Sequence, residues 1–241
     1  MASQDEAAAM RRAIALSRTP GVPLGPNPRV GAVLLGADGA TITEGYHRGA
    51  GSDHAEIDAL RQAGPAARGA TAVVTLEPCN HTGRTGPCAQ ALIEAGVRRV
   101  VYAQADDTRR ARGGAATLRS AGIDVEGGVL AEEAAPTNRA WSFAAVHGRP
   151  FVTWKFAATL DGRSAAADGT SMWITGPQAR ADVHGRRSEC DAVVVGTGTV
   201  LADNPRMTVR DAYGVPAPMN ATPDVASRWA TAASRRRPYG A

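Results

Sequence analysis

The sequence predicts an α/β protein: a layered α/β domain over residues 1–147, a shorter α/β segment over 148–210, and an aperiodic tail over 211–241. Three observations carry this. Runs of β-branched residues alternate with stretches of helical apolar spacing. Glycine and proline punctuate the joins. After Gly148-Arg149-Pro150 the alternation restarts, and from Asp211 it fails among prolines, alanines and arginines.

The elements follow in order. Asp5 to Arg18 places Ala9, Met10, Ala13, Ile14 and Leu16 at helical spacing, with acids in the first turn. Gly21 to Pro28 is a proline- and glycine-rich loop. Val30 to Leu35 and Thr41 to Tyr46 form a strand pair about Ala37-Asp38-Gly39. His54 to Ala63 is a helix ended by Gly64-Pro65. Thr71 to Leu76 reads as a buried strand. Cys88 to Ala95 is a helix with Pro87 at its start and Gly96 after its end. Arg99 to Ala103 is a strand, Ala115 to Ser120 a helix, Ile123 to Glu126 a strand, and Ala131 to Phe143 a helix. Beyond the Gly148–Pro150 linker, Phe151 to Ala158 reads as a strand, Pro177 to Ser188 as a helix, and Asp191 to Val195 as another strand.

Composition narrows the function classes. The chain has 241 residues, 44% of them hydrophobic, and a mean hydropathy of -0.21, as expected of a soluble globular protein. No apolar run reaches the ~18 residues a membrane span needs. Met1 to Glu6 is acidic and polar, unlike a signal peptide, so the expected location is cytoplasmic. Net charge is +4, with Arg235, Arg236 and Arg237 supplying much of it; this favours a solvated basic tail over a nucleic-acid surface. Lys155 is the only lysine. Three cysteines make no disulfide framework. Cys190 is expected to be buried at a strand start.

The chemistry concentrates in His54-Ala55-Glu56, Pro78-Cys79 and Pro87-Cys88. One imidazole and two thiols are a zinc-ligand set, and three protein ligands leave a fourth tetrahedral position for water, the mark of a catalytic site. Zinc lowers the pKa of that water towards neutrality. Glu56 is the acid/base that takes the water's proton and returns it to the substrate. The start of the Cys88 helix is expected to favour thiolate at Cys88. Each fragment alone is weak, since His-x-Glu occurs often on solvated helix faces. A closed structural zinc would need a fourth ligand, for which His81 is the nearby candidate. Glu56 argues for catalysis, because a structural site has no use for a base.

Eight residues, Asn80 to Pro87, separate the two thiols, whereas common cytidine-type deaminases carry Pro-Cys-x-x-Cys. The stretch Thr75-Leu-Glu-Pro-Cys-Asn-His-Thr-Gly-Arg-Thr-Gly-Pro-Cys88 closely resembles the bifunctional pyrimidine deaminase/reductase family of riboflavin biosynthesis. So do Pro26-Asn-Pro-Arg-Val-Gly31, Gly45-Tyr-His47 and His54-Ala-Glu56. The resemblance implies a three-layer α/β/α cytidine-deaminase-like domain followed by an incomplete dihydrofolate-reductase-like α/β domain. It implies zinc held by His54, Cys79 and Cys88, with Glu56 catalytic. The substrate implied is 2,5-diamino-6-(5-phosphoribosylamino)pyrimidin-4-one, deaminated at C2. Asn27 and His47 are then contacts to the substrate, and His81 and Arg84 offer donors to its ribose phosphate.

In the second part, Lys155-Phe-Ala-Ala-Thr-Leu-Asp-Gly162, Ser171-Met-Trp-Ile-Thr175 and Gly198-Thr-Val-Leu-Ala-Asp-Asn-Pro205 resemble the start of the family's reductase domain. Carried over by position, Ala157, Trp173, Thr199 and Asp203 contact NADPH, and Lys155, Ser171, Arg187, Met207 and Arg210 contact the sugar phosphate. The family continues past the matching stretch, so the resemblance implies that the NADPH-dependent step is lost. Asp106-Asp107-Thr108-Arg109 also stands where the family carries Asp-Pro-Asn-Pro, and Asn80 where a serine is usual. The readings left open are a single-step deaminase, a bifunctional enzyme completed by homo-oligomerisation, a paralogue acting on a related pyrimidine or purine, and a zinc-stabilised scaffold without activity.

Overall fold

A computed structural model describes residues 1–23, 25–82, 86–106, 108 and 111–210. The 211–241 tail and Arg84 therefore lie outside the described residues. The chain divides between Phe151 and Val152 into two units.

The first unit is a five-stranded sheet between two helical layers. Its elements are α1 (Gln4–Ser17), β1 (Gly31–Leu35), β2 (Thr41–Tyr46), α2 (Ala55–Ala63), a 3-10 turn (Gly64–Ala67), β3 (Thr71–Leu76), α3 (Cys88–Glu94), β4 (Arg99–Gln104), α4 (Gly114–Ser120), β5 (Asp124–Gly127) and α5 (Ala131–His147). The strand order is β2-β1-β3-β4-β5. β1 pairs antiparallel with β2 and β3, whereas β3, β4 and β5 run parallel. The parallel strands are joined through α3 and α4, as parallel neighbours require a crossover.

The two cores lie on opposite faces of the sheet because successive strand residues point to opposite sides. Ala32, Leu34, Ala72, Val74 and Val100 meet Ala55 and Ala59 of α2, Ala89 and Leu92 of α3, and Leu118 of α4. Val33, Leu35, Val73, Val101 and Ala103 meet Ala9, Met10, Ala13 and Ile14 of α1 and Ala134 of α5. Central β1 and β3 are buried along their whole length, which is why they read as continuous apolar runs. A capping box, with Ser3 and Glu6 each bonding the other's backbone N–H, starts α1.

The expected elements of this unit form, with ends moved by one or two residues, except that α5 runs four residues further than expected, to His147. It passes Pro136 and bends at Asn138, whose φ/ψ is non-helical. That bend has a use: Asn138, buried, accepts from the Arg29 N–H (2.9 Å) and donates to the Arg29 carbonyl (2.8 Å). Trp141, one turn on, donates to the Pro26 carbonyl at 3.2 Å. Together they fix the loop that carries Asn27.

The second unit departs from expectation. Its helices are α6 (Pro177–Ser188) and α7 (Thr197–Asp203). Phe151–158 and 191–195 are not strands. A β-branched run becomes a strand only with a ladder partner for its N–H and C=O groups, and these have none among the described residues. The expected dihydrofolate-reductase-like sheet has no strand among the described residues of this unit. Cys190, expected to be buried, is exposed, because the strand it was to begin is absent.

Candidate metal centre

Three helix and strand ends converge on the site. His54 is the N-cap of α2, which places Glu56 in that helix's first turn. Pro78 and Cys79 follow the end of β3, and Cys88 is the first residue of α3. Gly45 of β2 brings α2 close, since a Cβ there would lie 2.3 Å from the Ala55 carbonyl oxygen.

The structure brings His54, Cys79 and Cys88 together, with their ligand atoms all within 4.8 Å of one another. His54 Nδ1 lies 3.2 Å from Cys88 Sγ and 3.6 Å from Cys79 Sγ. Tetrahedral zinc, with Zn–S near 2.3 Å and Zn–N near 2.0 Å, requires N···S separations of about 3.5 Å. The donor set and its spacing fit zinc. Cys79 and Cys88 are buried and packed against Ala111 and Ile57. Among the described residues, this is the one His/Cys/Asp/Glu cluster able to hold a metal ion.

The protonation pattern corrects one expectation. The Cys79 thiol is pulled down to about 4, chiefly by its hydrogen bond with the Cys88 thiol, with His54 adding to the effect. Cys88 is pushed up, by that same bond and by burial. Thiolate therefore forms first at Cys79, not Cys88. A smaller contribution has the same sign: the N–H at the start of α3, that of Cys88, donates to Cys79 Sγ at 3.4 Å. The helix end serves the neighbouring sulfur rather than its own residue's. The hydrogen bond to Cys79 raises the pKa of His54.

Glu56 is 5% exposed. Burial raises its carboxyl to about 7, which lets it accept and release a proton near neutrality. The His47 ring stands edge-on to that of His54, with centroids 5.3 Å apart. Its Nδ1 lies 2.8 Å from the Asp53 carbonyl oxygen, which can only accept, so Nδ1 carries the proton. Nε2 is then an acceptor, and Asn27 Nδ2 donates to it at 3.1 Å. Burial, and then the neighbouring His54, lower His47 to about 4, so it stays neutral. Asn27 is thereby oriented and keeps its carbonyl oxygen and one N–H for a ligand. His81 is half-buried, and its Nδ1 has no hydrogen-bond partner among the described residues.

The positions expected to serve NADPH and the sugar phosphate all lie in the second unit. Ser171 and Trp173 line a cavity of about 830 Å³ there; Ala157, Thr199, Asp203, Lys155, Arg187, Met207 and Arg210 do not. Thr199 and Asp203 share one face of α7 and are exposed, as is Lys155. Arg187 Nη1 donates to the Thr208 carbonyl at 3.1 Å, and the backbone N–H of Arg210 donates to His184 Nδ1 at 3.2 Å. Of the cofactor positions, Trp173 alone lines that cavity.

Sequence reasoning overlooked Glu77, Asn138 and Trp141. An acid inside the buried Leu76-Glu77-Pro78 stretch was the available signal for Glu77. The Asn138 and Trp141 contacts span more than 100 residues and leave no local trace.

Comparison with known proteins agrees with this geometry. Residues 3–104 match the cytidine and deoxycytidylate deaminase zinc-binding region, and residues 150–233 match the RibD C-terminal domain. The riboflavin biosynthesis protein RibD of Mycobacterium tuberculosis is 55% identical over 80% of this chain and 57% of its own length. That of Escherichia coli is 48% identical over 83% of this chain and 55% of its own. The chain thus spans just over half the length of these relatives. Among solved structures, Acinetobacter baumannii RibD superposes with a TM-score of 0.79 at 45% identity, covering 88% of this chain and 60% of that one. A diaminohydroxyphosphoribosylaminopyrimidine deaminase/5-amino-6-(5-phosphoribosylamino)uracil reductase from Thermotoga maritima gives 0.78 at 42%, covering 86% and 59%. No helix among the described residues is long and apolar enough to cross a membrane.

Proposed function

Since the chain belongs to the RibD family of riboflavin biosynthesis proteins, we propose that its first unit hydrolytically deaminates 2,5-diamino-6-(5-phosphoribosylamino)pyrimidin-4-one at C2, with zinc bound by His54, Cys79 and Cys88. The observation that carries this is a buried carboxyl, Glu56, two residues from the imidazole of a three-ligand set.

When bound, zinc supplies the positive charge that lowers the pKa of a coordinated water to near neutrality. The net reaction forms a C2–O bond from water, breaks the C2–N bond and releases ammonia. Glu56 takes the first proton from the attacking water and passes it to a ring nitrogen, then takes the second from the new C2 hydroxyl and gives it to the departing amine, leaving a C2 carbonyl. Its pKa of about 7 suits both directions of transfer. Asn27, held by His47, offers a carbonyl oxygen and an N–H to the pyrimidinone edge. His81, with Nδ1 unsatisfied, supplies a polar contact to the ribose phosphate.

Incubating the zinc-loaded protein with this ribotide tests the reading. Ammonia and the uracil-type product should form together, stop when a chelator strips the metal, and resume when zinc is restored. Zinc-loaded protein that leaves the ribotide intact contradicts it. The RibD C-terminal match over 150–233 adds no second step to this proposal.

A further inference from the structure

Glu77 is buried, 8% exposed, and separated from Cys79 by one proline. Its two oxygens accept backbone N–H groups from both ends of one loop. Oε2 takes the N–H of Asp106 (3.2 Å), just after β4, and Oε1 that of Ala115 (2.8 Å), in the first turn of α4. α4 has no side-chain cap of its own, since its N-cap is Gly113 in the left-handed region at φ 99. Glu77 thus satisfies, from another element, a donor the helix start would leave orphaned.

Ala111, between those two ends, forms part of the wall of the metal centre. Ala111 packs with Cys79 and Cys88 in one buried cluster. Its carbonyl accepts from the N–H of Asn80, the residue after Cys79, at 3.0 Å. Gly114 lies so close to Pro78 that a Cβ would stand 1.8 Å from the Pro78 carbonyl oxygen. Within the loop, the Thr108 N–H bonds Asp106 Oδ1 (2.9 Å) and the Ala111 N–H bonds Thr108 Oγ1 (3.2 Å). Proline at 78 fixes φ between the carboxylate and the ligand, so the position of Glu77 is transmitted to Cys79 with little slack.

We propose that Glu77 is a positioning residue for the metal centre: by holding Asp106 and Ala115 beside the Cys79 segment, it fixes the sulfur geometry of the His54/Cys79/Cys88 site. This rests on the zinc reading above. Groups that hold ligands in place affect metal affinity about 10–100-fold when removed.

The test uses full-length holoprotein loaded with Zn²⁺ or Co²⁺, and no substrate. Glu77→Gln keeps the volume but offers an NH₂ to one of the two backbone donors. Thr108→Val removes only the bond to the Ala111 N–H. Metal affinity by chelator competition and the Co²⁺ absorption bands are read alongside the thermal midpoint of the metal-free protein. The expected result is an affinity loss of about 10-fold in Glu77→Gln, shifted Co²⁺ bands, and a smaller change of the same sign in Thr108→Val. A folded Glu77→Gln with wild-type affinity and spectrum overturns the proposal. Should Glu77→Gln not fold, Thr108→Val decides: weakened metal binding supports the clamp, and wild-type binding refutes it. Wild-type protein showing no thiolate–cobalt band overturns the zinc reading itself, and this inference with it.

Discussion

Gly45 matters for the absence of a side chain. A Cβ there would meet the Ala55 carbonyl oxygen at 2.3 Å and the Ala59 nitrogen at 2.7 Å, both backbone atoms of α2. Gly45→Ala must push α2 outward, moving His54 and Glu56 with it. We predict a stability loss of about 1–3 kcal/mol in urea unfolding. A shift near 1 Å at Glu56 should also lower deamination on the order of 100-fold. The residues with chemistry of their own were legible, because His54, Glu56, Cys79 and Cys88 are types with few alternative uses in that pattern. What the sequence could not convey was which thiol ionises first. That depends chiefly on the hydrogen bond between the Cys79 and Cys88 thiols, with the Cys88 N–H adding to it across nine positions, contacts made only once β3 and α3 are packed.

Among the elements, Arg99 of β4 holds three together. Its guanidinium, 15% exposed, bonds Glu6 of α1 at 2.6 Å, Glu126 of β5 at 2.5 Å, and Asp124. This holds the carboxyls of Glu6 and Glu126 below their ordinary value, with the hydrogen bond from Arg99 the main cause in each. A depressed carboxylate contributes stability above its unfolded pKa and loses it as pH falls through the folded one. Arg99→Met should therefore destabilise the fold at pH 7 by on the order of 3 kcal/mol. The gap between wild type and variant should close as pH is lowered from about 5 towards 3. Urea midpoints across that range check it, and a gap that stays constant contradicts it. The element order of the first unit was readable because buried strands and amphipathic helices carry different periods. The full length of α5 was not: the expected helix ended at Phe143, four residues short of His147, and the bend at Asn138 left no local mark in the sequence.

At the scale of the molecule, the two units behave differently. The first has a core on each face of its sheet. The second leaves Trp154, Leu160 and Leu201 more than three-quarters exposed. Its β-branched runs signal residues suited to a sheet but say nothing of whether a partner strand is present, which is why the expected strands did not appear. Residues 1–151 should fold alone, and one equivalent of zinc should raise their thermal midpoint by binding the native state. A fragment that unfolds without cooperativity contradicts that reading.

The most direct measurement compares wild type and Glu56→Gln, both loaded with zinc, for ammonia release from the diaminopyrimidinone ribotide. The prediction is one zinc per chain in each protein and release about 10²–10⁴-fold slower in the variant. A zinc-replete Glu56→Gln that releases ammonia at the wild-type rate would contradict the assignment of Glu56 as the proton carrier.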